Sequence, residues 1–288
     1  MGRTRAASDT PGAGTRPWSP GPVVVGILNV TPDSFSDGGD FLDPEAAAVH
    51  AATILDEGAG IIDVGGESTR PGSDPVSQEE EVRRVVPVIE RILASRPEAV
   101  ISVDTYRSKT AAAALGAGAR IVNDVTALRG DPCMASVVAD ARCPVILMHM
   151  QGEPKTMQME PHYEDVVGEV KAFLGSKAEH AIAAGVSQEN IIVDPGIGFG
   201  KNLNHNLALL RNLEVIVDLG FPVLVGASRK TFIGKITGAE DAGERVFGTV
   251  ATTVLAYEKG VTLLRVHDVR ANCEALAVAD AVLHASRL

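Results

Sequence analysis

The chain has little that would staple it, anchor it in a membrane or let it grip nucleic acid. Only three cysteines, Cys133, Cys143 and Cys273, stand among 288 residues. They form no CxxC pair, and an odd count argues against a disulfide framework. Small buried apolar residues are the reading that fits them. No apolar run reaches the ~18 residues that a membrane span needs. The first stretch lacks the apolar middle of a secretory signal. Basic residues are outnumbered, 26 Lys and Arg against 37 Asp and Glu, for a formal net charge of −11. That balance excludes a global cationic footprint for nucleic acid. Small molecules are therefore the expected partners, with no nucleic acid and no membrane, and a reducing cytoplasm is the expected compartment. An anionic substrate would need a local cluster of Arg and Lys to overcome the field of the chain.

What the chain does contain is one unit repeated eight times. A short run rich in Val and Ile leads into a polar loop and then into a longer, Ala-rich amphipathic stretch. The apolar runs are 23–28, 60–64, 100–103, 120–122, 144–148, 191–193, 222–225 and 261–266. Continuous runs this short suit strands buried on both faces, as in parallel sheets. Helices are expected near 44–58, 79–95, 107–118, 132–141, 163–185, 204–219, 240–258 and 269–286. Gly58, Gly118, Gly185, Gly220 and Gly260 close five of them, as helix-terminating glycines do. This alternation predicts a single-domain α/β fold, a (β/α)8 TIM barrel over 22–288. An open doubly wound sheet is the competing arrangement. Residues 1–21, rich in Gly, Pro, Ser, Thr and Arg, are expected to form a disordered tail.

The polar residues fall in a pattern. Each run ends in a hydrogen-bonding or charged group: Asn29, Asp63 with Glu67, Asp104, Asn123, His149, Asp194, Ser228 with Lys230, and Arg265 with His267. In a barrel these tips converge on one mouth, where this fold builds active sites. Asp104, Asn123, Asp194 and Lys230 together suit a flat heterocycle. A carboxylate accepts two parallel N–H bonds, an Asn both donates and accepts, and a Lys donates to a carbonyl or ring nitrogen. Each has a plainer alternative. A strand-end Asp also caps helices or pairs with Arg, and Asn123 before Asp124 is an ordinary turn signal. Arg265 and His267 share one side of an extended strand and, with Arg70, suit a phosphate clamp. Equally, Arg265 pairs with Asp63 or Glu67, and His267 caps a helix. The Asn29 amide oxygen suits a hard cation such as Mg²⁺, which takes one or two protein oxygens plus phosphate oxygens and waters. The run Asp194-Pro195-Gly196-Ile197-Gly198-Phe199-Gly200 is a tight strand-to-loop turn without the dinucleotide fingerprint. P-loop and GxSxG patterns are missing, and the histidines lack metal-ligand spacing.

Several segments, taken in order, resemble the dihydropteroate synthase family, which joins a pterin to p-aminobenzoate in folate biosynthesis. They are Asn29-Val30-Thr31-Pro32-Asp33-Ser34-Phe35-Ser36-Asp37-Gly38-Gly39, the stretch from Asp63 through Glu67-Ser68-Thr69-Arg70-Pro71 to Gly72, and Ser102-Val103-Asp104-Thr105. Further along come Val122-Asn123-Asp124, Leu147-Met148-His149-Met150-Gln151-Gly152, the glycine run after Asp194, Ser228-Arg229-Lys230 and Arg265-Val266-His267-Asp268. The resemblance covers about 23–286. It implies a homodimeric transferase, the target of sulfonamides, which mimic p-aminobenzoate. It implies that Asp104, Asn123, Asp194 and Lys230 hold the pterin, with Arg265 packed on the ring face. It implies that Asn29 binds Mg²⁺, and that the ion with Arg70, Arg265 and His267 holds the pyrophosphate. Thr69, Pro71, Phe199, Ser228 and Lys230 would border the p-aminobenzoate site. Asp33, Phe35 and Asp37 would lie in a first mobile loop, and Thr69 and Arg70 in a second. The expected reaction is a Mg²⁺-assisted, SN1-like transfer, with Asp104, Asp194, Lys230, Arg265 and His267 as its catalytic groups.

Two other readings keep the pterin pocket. A pterin-dependent corrinoid methyltransferase has no need of the Asn29 loop, Arg70 or a pyrophosphate clamp. A non-catalytic pterin-binding paralogue would lose loop or anion-site residues, and this chain keeps each one that can be placed.

Overall fold

The computed structural model describes residues 17–18, 21–31, 43–67, 76–152 and 157–285. Eight strands form among them: β1 (Val23–Asn29), β2 (Ile61–Gly65), β3 (Ile101–Asp104), β4 (Ile121–Asp124), β5 (Val145–Met148), β6 (Ile191–Asp194), β7 (Leu224–Val225) and β8 (Leu263–Val266). Ten helices alternate with them: α1 (Pro44–Asp56), α2 (Gln78–Ser95), α3 (Ser108–Gly116), α4 (Met134–Ala141), α5 (Val166–Ala183), α6 (Leu203–Arg211), α7 (Leu213–Val217), α8 (Thr231–Thr237), α9 (Val246–Glu258) and α10 (Val269–Leu283). Each strand pairs in parallel with its sequence neighbour from β1 to β6, and β8 joins β1 to β7. A parallel bridge between Val193 and Val223 closes the last gap. The expected (β/α)8 TIM barrel is the observed fold, and the open sheet is not. No helix among the described residues is long and apolar enough to cross a membrane.

The core divides by strand parity. Successive side chains of a strand point to opposite faces. Val24, Leu28, Ile62, Val64, Ile101 and Val103 face outward and pack against the helices. Val23, Val25, Ile61, Val100, Ile121, Ile146, Ile192, Leu224 and Leu263 face inward and fill the barrel. Trp18, inside the stretch expected to be a tail, is half-buried against this inward cluster. The rest of that stretch is largely outside the described residues.

Local signals set the helix starts. Asp43 caps α1 by accepting from the Glu45 amide at 2.9 Å, and Ser77 caps α2 by accepting from Glu80 at 3.2 Å. The structure departs from the expected elements at three places. The helix expected over 204–219 breaks at Asn212, whose side chain turns back to donate to the Ala208 carbonyl at 2.8 Å. That competition with the backbone is the usual reason Asn interrupts helices. The helix expected from 240 starts at Val246. One helix was not expected: α8 follows Lys230 directly. Its seven residues are rich in β-branched types and too short for a 3.6-residue period to register.

Candidate active site at the strand ends

The barrel interior changes character along the strand direction. Starting from the inward apolar layer, two residues further along each strand lie Ile27, Asp63, Ser102, Asn123, Met148, Asp194, Gly226 and Arg265. By parity these also face inward. Asn29 and Asp104 lie one step nearer the mouth on β1 and β3, and Gly65 is paired with both.

One side of this layer is a continuous charge network. The Arg265 Nε donates to Asp63 Oδ2 at 2.6 Å, and its terminal nitrogen donates to Asp104 Oδ2 at 2.9 Å. Asn123 Nδ2 donates to the same Asp63 oxygen at 3.0 Å. Asp63 is fully buried, and its Oδ1 has no hydrogen-bond partner among the described residues. The plainer reading of Arg265, a pair with Asp63, is therefore realised, and Asp104 shares the guanidinium. Burial pushes the Asp104 pKa up to about 7 against the pull of Arg265, with Asp63 adding to the rise. The carboxylate is poised to change protonation near neutrality. Asn123 is freed from turn duty by its neighbour: Asp124 accepts from the Thr126 and Leu128 amides at 2.8 and 2.9 Å. The outward residue makes the turn and the inward one faces the mouth.

The other side is built on the turn after β6. Asp194 Oδ1 accepts from the Gly196 amide at 2.7 Å. Desolvation raises the Asp194 pKa, while the Gly196 amide, Lys230, Lys201 and Arg265 oppose the rise. The Lys230 ammonium donates to the Ile197 carbonyl and lies 4.5 Å over the Phe199 ring. Burial lowers its pKa to about 7, with Asp194 holding it up. Met148, Met150, Met157 and Val125 form a small apolar cluster with Tyr106 and Phe199 packed on it. Flat apolar and polar surfaces thus meet, as a heterocycle site requires.

Ser228 and His267 close the ring. The Ser228 Oγ lies 2.9 Å from His267 Nδ1 and accepts from the His267 amide at 3.1 Å. Arg229, between Ser228 and Lys230, has a positive φ of 56° and is tied bidentately to Asp268 at 2.9 and 2.5 Å. The pair fixes the backbone that presents Ser228 and Lys230.

Glu67 serves as a brace. It accepts from Arg107 at 2.7 Å, from the Tyr106 hydroxyl at 2.9 Å and from the Val76 amide at 3.1 Å, and Arg107 also donates to buried Glu81 at 2.8 Å. The expected loop residues Asp33, Phe35, Asp37, Thr69, Arg70 and Pro71 lie outside the described residues. Among the predicted residues, Asp104, Asn123 and Arg265 form one network and Asp194, Lys230 and Phe199 another. Ser228 and His267 form a third contact, and Asn29 stands beside Gly65. Sequence reasoning placed Asp63 at the mouth only as a candidate partner of Arg265, and it assigned nothing to Lys201. Strand parity would have turned Asp63 inward with Arg265. Lys201 carries no such signal, because a lysine ending a glycine turn is by type a surface residue.

Gly196 shows how tightly the turn is built. Its φ is +64°, and an added Cβ would lie 1.9 Å from the His149 carbonyl oxygen. Gly196→Ala is expected to destabilise the protein by about 3 kcal/mol or more. A urea unfolding midpoint equal to the parent's would contradict that packing.

Comparison with known proteins agrees with this geometry. Residues 25–267 match the family described as pterin binding enzyme. The dihydropteroate synthase of Synechocystis sp. is 47% identical over 265 residues, covering 92% of this chain and 91% of that protein. The Escherichia coli dihydropteroate synthase is 47% identical over 264 residues, covering 92% and 93%. Among solved structures, the Xanthomonas albilineans dihydropteroate synthase with 4-aminobenzoic acid superposes with a TM-score of 0.87 at 49% identity, covering 92% of this chain and 94% of that one. The same enzyme in complex with 7,8-dihydropteroate gives a TM-score of 0.84 at 47% identity, covering 92% of this chain and 95% of that one. A barrel of this topology, with a polar mouth at its strand ends and relatives this similar over nearly its whole length, belongs to the dihydropteroate synthase family of pterin-binding enzymes.

Proposed function

We propose that this protein is a transferase that condenses 6-hydroxymethyl-7,8-dihydropterin pyrophosphate with p-aminobenzoate, forming 7,8-dihydropteroate and pyrophosphate. The observation that carries the reading is a buried carboxylate, Asp194, beside a half-buried ammonium, Lys230, which lies over the Phe199 ring and feels the charge of Asp194. In a chain of this family that pair suits a flat ring offering N–H donors on one edge and a carbonyl on the other. Asp194 takes the donors, Lys230 serves the carbonyl, and Asn123 and the unpartnered Asp63 Oδ1 satisfy the remaining edge. Arg265, pinned edge-on by Asp63 and Asp104, offers a guanidinium plane for stacking.

The methylene carbon exchanges a C–O bond for a C–N bond. The pyrophosphate oxygen departs with the bonding pair, the amine nitrogen supplies the new pair, and the amine proton passes to solvent. Arg265 and His267, with Arg70 by family resemblance, counter the charge that builds on the departing group. Asp104 and Asp194 offer negative charge to a pterin turning cationic. Ser228, Phe199 and Lys230 border the amine side, with Thr69 and Pro71 by resemblance. Holding amine and carbon in line supplies a further share of the acceleration.

Mg²⁺ is the proposed ion. The point a Cβ would occupy at Gly65 lies 3.6 Å from Asp104 Cβ and 3.8 Å from both Asn29 Oδ1 and Asp104 Oδ2, so two hard oxygens approach the same glycine. That donor set fits Mg²⁺, which uses few protein oxygens and takes the rest from phosphate and water. When bound there, the ion would draw charge from the pyrophosphate oxygens. Asn29 would hold it, and Arg265 keeps the Asp104 oxygen oriented.

The reaction is placed in the cytoplasm, in keeping with the three cysteines standing unpaired. A second copy is proposed to cover the outer face of α9 and α10. Phe247 and Leu255 of α9 are 87% and 56% exposed, and Val278 and Val282 of α10 are 67% and 69% exposed. All four stand exposed on two helices that pack side by side outside the barrel. Phe247→Glu is expected to sediment as a monomer where the parent sediments as a dimer; a monomeric parent would remove the proposal.

Purified protein, incubated with the pterin pyrophosphate and p-aminobenzoate, is expected to form dihydropteroate with Mg²⁺ and to slow when the ion is chelated. The pterin pyrophosphate with Mg²⁺ should also raise the melting temperature. Failure of both, with a shift on adding methyl-folate instead, would move the assignment to a corrinoid methyltransferase.

A further inference from the structure

The turn after β6 is held by side chains along its length. The Gly196 and Phe199 carbonyls accept from Lys201 at 3.0 and 2.9 Å, and the Gly200 carbonyl accepts from the Tyr163 hydroxyl at 2.8 Å. Between them, the Ile197 carbonyl accepts from Lys230 and the Gly198 carbonyl from Gln158. Lys201 alone takes two of these five positions. Its side chain enters the protein, leaving the residue 2% exposed.

The third Lys201 donor meets His149 Nδ1 at 2.9 Å, and the His149 carbonyl lies 3.5 Å away. An ammonium offers three donors and no acceptor, so the short contacts match it one for one. His149 then accepts through Nδ1 and carries its own proton on Nε2. Burial, followed by the charges of Lys201 and Arg129, lowers the His149 pKa to about 3, which keeps the ring neutral. Phe173 packs edge-on against it at 4.8 Å. Lys201 therefore ties the end of β5 to the turn after β6.

What the tie controls is the amine side of the mouth. Gly196 and Phe199 flank Ile197 and Gly198, so fixing both carbonyls fixes the segment between them. That segment presents the Phe199 ring and the Ile197 carbonyl, and both hold the Lys230 ammonium. An apolar side chain of similar length would fill the same space and leave the Phe199 carbonyl and His149 Nδ1 without their lysine donor, while the Gly196 carbonyl would keep only the Phe199 amide at 3.0 Å, at a cost to the order of the turn.

We propose that Lys201 is a positioning residue for the amine substrate, acting through the Gly196 and Phe199 carbonyls on the Phe199 ring and the Lys230 ammonium. The inference rests on the functional reading above.

The test is steady-state kinetics of Lys201→Met in the full-length protein, varying p-aminobenzoate at saturating pterin pyrophosphate and then the reverse. The KM for the amine is expected to rise about tenfold or more, and the KM for the pterin substrate by much less. A lysine that merely supports the fold would lower kcat through lost active enzyme and leave both KM values unchanged. A double-mutant cycle with Phe199→Ala adds a second readout: the two changes in amine KM should fall short of additive. An unchanged amine KM, or full additivity, overturns the proposal. If Lys201→Met yields no soluble protein, Lys201→Gln, which keeps an amide donor, carries the same test; insolubility of both would make the lysine a requirement of the fold and also overturn it. A parent protein that forms no dihydropteroate fails the functional reading instead, so the two failures are distinct.

Discussion

Asp194→Asn is expected to melt close to the parent and to lose pterin binding, with kcat/KM for the pterin pyrophosphate down by about 10³-fold or more. The two oxygens of Asp194 have different tasks. Oδ1 accepts from the Gly196 amide at 2.7 Å, a bond that the Asn oxygen keeps. In the proposed binding mode the other position then becomes an amide donor facing the N–H groups of the ring. Donor meets donor in a buried site, and the cost is that of an unmet polar pair rather than one lost bond. Lys230→Ala should lose pterin binding as well, since it removes the ammonium that faces Asp194 across the site. Titration with a pterin ligand, read by calorimetry, decides the matter. Parent-like affinity in both variants would show that the pterin binds elsewhere.

Arg265→Leu is expected to remove activity and to cost about 3–5 kcal/mol of stability at neutral pH. Such a loss is a large part of the ~5–15 kcal/mol that holds a domain together. The reason is that Arg265 is the shared partner of Asp63 and Asp104, at 2.6 and 2.9 Å. Without it the fully buried Asp63 and the largely buried Asp104 both lose their shared cation. The pH dependence has a definite sign. The folded pKa of Asp104 is about 7, above its ordinary value. The folded state therefore binds more protons than the unfolded chain between the ordinary carboxylate range and neutrality. The contribution of this group to stability declines as pH rises through that window. Removing Arg265 raises the folded pKa further, so the variant should lie closer to the parent at pH 5 than at pH 8. Urea midpoints at the two pH values check this. A larger deficit at pH 5 would mean that another group governs the network. Adding Asp63→Asn to Arg265→Leu should recover part of the loss, because one uncompensated charge is then gone.

Much of the molecule was legible in the chain. Alternation of short Val- and Ile-rich runs with Ala-rich stretches sets the fold, because a strand buried on both faces has no polar side to show. The barrel follows from eight such units, and the mouth from the polar group ending each run. The family resemblance added the expected roles of Asn29, Asp104, Asn123, Asp194, Lys230, Arg265 and His267, of which the variants above test those of Asp194, Lys230 and Arg265. Helix boundaries were less legible where the competing interactions were local, as at Asn212.

What only the tertiary structure decided is which of these groups face each other. Asn123 and Asp124 are adjacent and nearly interchangeable as turn residues, yet parity sends the first to the mouth and the second to the turn. Asp63 and Arg265 are 202 residues apart, and their pairing exists only because β8 lies beside β1 and β1 beside β2. Lys201 looks like any lysine at a loop end until the turn folds its ammonium back onto His149. Sequence carries hydrophobic period and residue type, which are local and so determine strands, helices and the kinds of group at each tip. Closure of the barrel is a cooperative, non-local event, and burial, shared hydrogen bonds and shifted protonation at the mouth arise only once all eight strands are in place.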